Sequence, residues 1–157
     1  MGPARRIPGG KALPSGLTIF GDSRERYPFE FAATQVSTER RALPAGDYAV
    51  MVDDQILAAV ERKSLENLAK DLVEGSLPYQ LAELASVPHA AVVVEDRYSR
   101  LFKLEHVRAG WVAELLARVQ VRYPSVPIVF CETRPLAEQW TYQFLVAVVR
   151  SSPELPA

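Results

Sequence analysis

The sequence predicts an α/β fold with a mixed central β-sheet held between helices. Three observations carry this. Short β-prone runs alternate with helical segments along most of the chain; two of those runs, 48–52 and 56–61, lie close enough to form a hairpin; and one, 90–95, is apolar up to its last residue, as in a strand covered on both faces. The chain has 157 residues, 48% hydrophobic and 24% charged, with 18 Lys+Arg against 19 Asp+Glu. That suits one globular core and excludes both overall disorder and a polybasic coat for nucleic acid. A single cysteine, Cys131, excludes a disulfide framework and points to a reducing, cytoplasmic setting, nucleoid-associated in a bacterium. No stretch approaches the ~20 apolar residues of a membrane span, and the first residues lack the apolar centre of an export signal.

Residues 1–16, rich in Pro, Gly and basic side chains, read as a flexible arm ahead of a domain over 17–150 and a tail at 151–157; the arm either touches phosphate or is solvated without a role. Residues 17–20 (LTIF) form the first strand, and Pro28 opens a helix to residue 36. The runs YAVMV (48–52) and ILAAVE (56–61) pair antiparallel around a turn at 53–55. Ser64 caps a helix over 65–72, and a second short helix covers 77–85. After the strand AAVVVE (90–95) comes a polar segment with Arg97, Arg100 and Lys103, then a helix from His106 with Val107, Trp111, Leu115 and Val119 on one stripe. PIVFC (127–131) is the last strand and 136–149 the last helix. Trp140, Tyr142, Phe144, Leu145, Val146, Val148 and Val149 leave that helix almost no polar face. It lies either in a deep core or with a flank of Trp140, Phe144 and Val148, joined by Trp111, at a subunit interface.

The chemistry gathers on the hairpin. Around a three-residue turn, residues pair when their numbers sum to 108, so Asp47 faces Glu61. Directly opposed Cβ atoms lie about 5 Å apart, and like charges at that distance call for water or a cation between them. Alternation puts Lys63 on the face of Glu61 and Arg62 on the other. Asp22, following the first strand, supplies a third oxygen if that strand neighbours the hairpin, which makes the hard site that Mg²⁺ or Mn²⁺ prefers. Such a site serves phosphodiester hydrolysis, with Lys63 as an electrostatic clamp. On Asp47, Glu61 and Lys63 alone, an ordinary structural ion pair outweighs catalysis.

The longer string alters that balance. IFGDSRE at 19–25, LPAGDY at 43–48 and VERKSLENL at 60–68 resemble, in order and spacing, the XPF-type structure-specific DNA endonucleases, with their D-x-R-E, G-D-Y and V-E-R-K-S segments. The resemblance runs through the strand ending at Glu95 and the PIVFCETR segment. It implies a restriction-endonuclease-like core, Mg²⁺- or Mn²⁺-dependent incision of branched or flapped DNA in repair or recombination, and a homodimer formed through the nuclease domain. It also implies roles: Asp22, Asp47 and Glu61 as metal ligands, Lys63 beside the attacking water, and Arg24, Glu25 and Arg62 completing the site. The sequence departs from the family at Asn67, where the motif has aspartate; Asp71, one turn on, compensates for it. It departs again at Ser76, where the family tends to have arginine, four residues before Gln80.

Many relatives carry further helix-hairpin-helix modules, so DNA affinity here is expected from the nuclease surface, the arm, a dimer mate or another DNA-binding partner. Arg97, Arg100 and Lys103 are the phosphate-contacting candidates, against the plainer reading of a solvated loop. His89 and His106 lack ligand spacing, and PGGKA at 8–12 is no phosphate-binding loop. The rival function is a nuclease-fold module that binds DNA or dimerises without cutting.

Overall fold

The computed structural model describes residues 17–152 apart from Ala33 and Gln35; the expected arm and nearly all of the tail lie outside the described residues. Along the described chain run β1 (Thr18–Asp22), β2 (Ser37–Arg41), β3 (Tyr48–Val52), β4 (Gln55–Lys63), α1 (Leu65–Glu74), α2 (Leu77–Ala85), β5 (His89–Val94), a 3₁₀ turn (Tyr98–Lys103), α3 (Ala109–Arg122), β6 (Ile128–Phe130) and α4 (Arg134–Ser151). The strands form one sheet in the order β2-β1-β3-β4-β5-β6. It is mixed, as expected: β3 runs antiparallel to both β1 and β4, and the β1–β2, β4–β5 and β5–β6 pairs are parallel.

Both faces are covered. Ala59, Ala90, Val92 and Val94 pack against α1, α2 and α3, whereas Val50, Ala58, Val60 and Val93 pack against α4 and the ring pair Phe29 and Phe31. This explains the apolar run of β5, whose last five residues are all buried. Serine caps α1 as expected, its Oγ accepting from the Asn67 N–H at 3.1 Å, and α1 stops at Gly75, which adopts φ 81° and donates to the carbonyls of Asp71 and Leu72.

The expected helix over 28–36 does not form. Phe29 and Phe31 are buried on either side of exposed Glu30, Phe31 takes a left-handed φ of 55°, and their N–H groups go to side chains. Phe29 donates to Tyr48 Oη at 2.7 Å and Phe31 to Glu138 Oε2 at 2.7 Å, so neither supplies a helical ladder. The segment leads into β2, a strand the sequence did not suggest because all five of its residues (STERR) are exposed. A charged edge strand of this kind discourages pairing with other chains. The hairpin turn also differs: Asp53 and Asp54, at φ 50° and 63°, make a two-residue turn with both residues left-handed, and a register shift at Val50/Met51 restores the expected pairing of Tyr48 with Val60.

Two expectations about the interface fail. Val148 is 7% exposed and belongs to the core under α4. Trp111 sits on α3, across the sheet from α4, and so does not extend the same flank. The outer flank of α4 is Leu136, 43% exposed, together with Trp140 and Phe144, whose rings stack at 5.0 Å.

Candidate active site

Three neighbouring strands deliver three carboxylates to one end of the sheet. In β1 and β3 Gly21 faces Tyr48, and in β3 and β4 Tyr48 faces Val60. One residue further, Asp22 comes beside Asp47 and Asp47 beside Glu61; the Asp22 N–H donates to the Asp47 carbonyl at 2.8 Å and the Asp47 N–H to that of Val60 at 2.9 Å. Gly46 admits this approach. At φ 76° it is left-handed, and a Cβ there would lie 3.0 Å from the Ala59 Cβ.

Asp47 and Glu61 form the charged heart of the site. Burial pushes the Asp47 carboxyl up to about 6 despite a hydrogen bond from the Arg62 N–H to its Oδ2 at 2.8 Å, and the charges of Glu25 and Asp22 add to the rise. Burial, and then the adjacent Asp47 charge, push Glu61 up to about 8. Two acids crowded this way share a proton or a cation. Asp22 is held differently: burial raises its pKa, but the Arg24 hydrogen bonds and the Leu43 N–H outweigh that and lower it. Arg24 forks onto both Asp22 oxygens at 2.9 and 3.1 Å, and the Leu43 N–H reaches Oδ1 at 2.9 Å. Among the described residues no three His, Cys, Asp or Glu are assembled to hold one ion. The Asp47–Glu61 pair fits a hard divalent cation by its chemistry, with all-oxygen donors and excess negative charge; the Asp22 oxygens, beside Asp47, are engaged by Arg24.

Lys63 lies on the Glu61 face, as alternation predicts, and is 7% exposed. Its Nζ is 3.8 Å from Glu61 and donates to Asp71 Oδ2 at 2.8 Å. Gln80 Nε2 donates to the same oxygen at 3.2 Å and Ser76 Oγ to the other at 3.2 Å. Burial alone would raise the Asp71 pKa, but these donors, Lys63 foremost, lower it. Thus Asp71 is the lysine's carboxylate partner. Asn67 is exposed, and its side chain makes no hydrogen bond among the described residues. Of the two departures from the motif, Ser76 contacts Asp71 and Asn67 does not.

Arg62 points to the other face and binds protein. It pairs through Nε with Glu95, reaches Glu25 Oε2 at 3.3 Å, and lies 4.4 Å over the Phe29 ring. Tyr48 Oη contacts Glu25 at 3.2 Å, and Arg134 donates to the Tyr27 carbonyl at 2.8 Å. Arg62 and Glu25 thus tie residues 25–29 to β4 beneath the site. Glu95 and Tyr48 belong to this hub; the sequence placed both within the motif segments but gave neither a role. Of the basic loop, Arg100 is engaged by Asp96 and Glu66, both at 3.2 Å, and is not a free phosphate contact; Arg97 and Lys103 are exposed.

A model of the ERCC4 domain matches residues 21–144, a span that holds every one of these side chains. The chain belongs to the ERCC4 domain family. These domains are nucleases of the structure-specific DNA endonuclease class. Among solved structures the chain is similar to XPF from Aeropyrum pernix in complex with DNA, at 23% identity and a TM-score of 0.68, covering 88% of this chain and 70% of that one. A second structure of XPF from Aeropyrum pernix matches at 23% identity and a TM-score of 0.67, over 85% of this chain and 66% of the other. At this identity the likeness establishes the restriction-endonuclease-like fold. No curated protein sequence matches the chain. No helix among the described residues is long and apolar enough to cross a membrane.

Proposed function

We propose that this ERCC4 domain is a metal-dependent DNA endonuclease that hydrolyses phosphodiester bonds near junctions of duplex and single strand, in flaps, forks or branches met in repair or recombination. One observation carries the reading: Asp22, Asp47 and Glu61 converge from three adjacent strands beside a buried lysine. Asp47 and Glu61 would hold Mg²⁺ or Mn²⁺, which when bound would supply an activated water and neutralise charge on the scissile phosphate. Lys63, fixed by Asp71, places a permanent positive charge where the phosphate becomes more negative in the transition state. Arg24, with an exposed side chain and a forked guanidinium, matches a phosphate in geometry, and Asp22 beside it would be the third oxygen ligand of the cation. Arg62, Glu25 and Tyr48 keep β4 and residues 25–29 in register and touch no substrate.

The same reading places the protein in the cytoplasm and pairs two copies through the Leu136–Trp140–Phe144 flank, where Leu136 is exposed and the stacked rings of Trp140 and Phe144 are half-buried. Incubation with flap, splayed-arm, nicked and blunt duplex DNA in Mg²⁺ or Mn²⁺ tests the activity. Cleavage confined to the junction substrates and lost in Lys63→Ala supports it. Cleavage that Lys63→Ala leaves untouched contradicts it. Light scattering of Phe144→Glu tests the pairing, with a shift from dimer to monomer expected and a monomeric parent protein opposing it.

A further inference from the structure

The 3₁₀ turn Tyr98–Lys103 follows β5 directly, on the side of β4 away from Asp22. It is tied to the site twice: the Glu95 N–H donates to the Lys63 carbonyl at 3.0 Å, and Arg100 bridges Asp96 to Glu66 in the first turn of α1. Leu101, fully buried, anchors it. Its outer surface carries Tyr98, 47% exposed, and Phe102, 52% exposed, in edge-to-face contact at 5.5 Å, with Tyr98 also edge-on to Phe130 at 5.5 Å. Side chains three apart eclipse on a 3₁₀ helix, so Arg97, Arg100 and Lys103 form one stripe with a step of about 6 Å.

The three cations of this stripe are matched in number by Asp96, Glu66 and Glu105, but the charges are unevenly placed: Arg100 holds both Asp96 and Glu66, and Glu105 lies 3.9 Å from His106. Arg97 and Lys103 have no carboxylate within ion-pair distance among the described residues, so the surface carries two free cations beside two half-exposed rings. Duplex DNA hides its bases in the stack and has no use for such rings. An unpaired strand offers both a base face and a phosphate to each ring-and-cation unit. We propose that Tyr98 and Phe102, with Arg97 and Lys103, form a platform for the single-stranded arm of a junction, which leads that arm past Lys63 into the site. The platform rests on the nuclease reading for its purpose but not for its test.

The test uses the full chain carrying Glu61→Gln, without divalent metal, and measures fluorescence anisotropy of a labelled oligothymidylate and of a blunt duplex. Phe102→Ala weakens oligothymidylate binding about tenfold and leaves duplex binding within about twofold, given the ~1–3 kcal/mol that each stacked base contributes. Tyr98→Phe keeps the affinity and Tyr98→Ala loses it, which separates the ring from the hydroxyl; Phe102, half-exposed at the surface, guards against a loss caused by misfolding. The double variant Arg97→Gln/Lys103→Gln lowers the slope of log affinity against log salt by about 1.4. Unchanged affinity in Phe102→Ala, an equal loss on duplex, or a parent protein that does not bind oligothymidylate overturns the platform. So does a change in self-association in place of DNA binding. Absence of cleavage leaves these results intact, and failure of the ring variants leaves the nuclease site standing, so the two readings fail separately.

Discussion

Asp71→Asn isolates the contact that replaces the family's aspartate. The substitution keeps the shape of the side chain and one acceptor oxygen, which can still accept from Gln80 while the amide NH2 turns to the Ser76 hydroxyl, and it removes the charge 2.8 Å from Lys63 Nζ. A charge-assisted hydrogen bond of this kind is worth about 1.5–3 kcal/mol. Glu61, at 3.8 Å, is then the nearest carboxylate and draws the ammonium out of place. If the whole contribution is felt in the transition state, kcat falls about 10- to 100-fold with KM little changed. The assay is steady-state cleavage of a flap substrate, run on Asp71→Asn, Lys63→Met and the double variant. Because the two residues act as one unit, the double variant is scarcely slower than Lys63→Met alone. Multiplicative losses, or a wild-type kcat in Asp71→Asn, would refute the reasoning.

Three further outcomes follow from the same geometry. In metal-free protein the Glu61 carboxyl stays protonated to higher pH in the fold than in the unfolded chain, so between its ordinary value of 4.5 and about 8 the fold binds the extra proton and stability declines as pH rises; calorimetry from about pH 5 to about pH 9 shows a falling Tm that Glu61→Gln flattens. Asn67→Asp leaves the Mg²⁺ concentration for half-maximal rate unchanged, because Lys63 already has Asp71 and position 67 is exposed; a clear drop in that concentration places Asn67 in the site. Gly46→Ala costs roughly 2–4 kcal/mol, from a left-handed φ of 76° and a Cβ 3.0 Å from that of Ala59, and denaturant titration reads the loss.

What could be read from the sequence followed the periodic, locally determined features. The apolar run of β5, the Ser64 cap and the hairpin register were all legible, and the register alone brought Asp47 to Glu61. It held even though the turn proved shorter, because a register shift further out made up the difference. The segment 23–36 and β2 were not legible. STERR has no apolar face to give a period, and Phe29 and Phe31 take their conformation from Tyr48 and Glu138, residues 19 and 107 positions away. For the same reason the pairing of Arg62 with Glu95 escaped notice, although the motif named Arg62 and Glu25: a cation between Glu25 and Glu95 is visible only once β1, β4 and β5 are aligned. Asp71 was half legible, since its spacing on α1 gave the face but not the partner that Ser76 and Gln80 select. Val148 misled because a helix this apolar hides which of its sides faces the sheet.

The most direct measurement is single-turnover cleavage of a flap substrate in Mg²⁺ by the wild type and by Glu61→Gln, with folding of both verified by calorimetry. The account predicts metal-dependent incision near the junction, abolished by EDTA and reduced by at least about 10²-fold in Glu61→Gln. Equal incision by the two proteins, or incision that persists in EDTA, would contradict it.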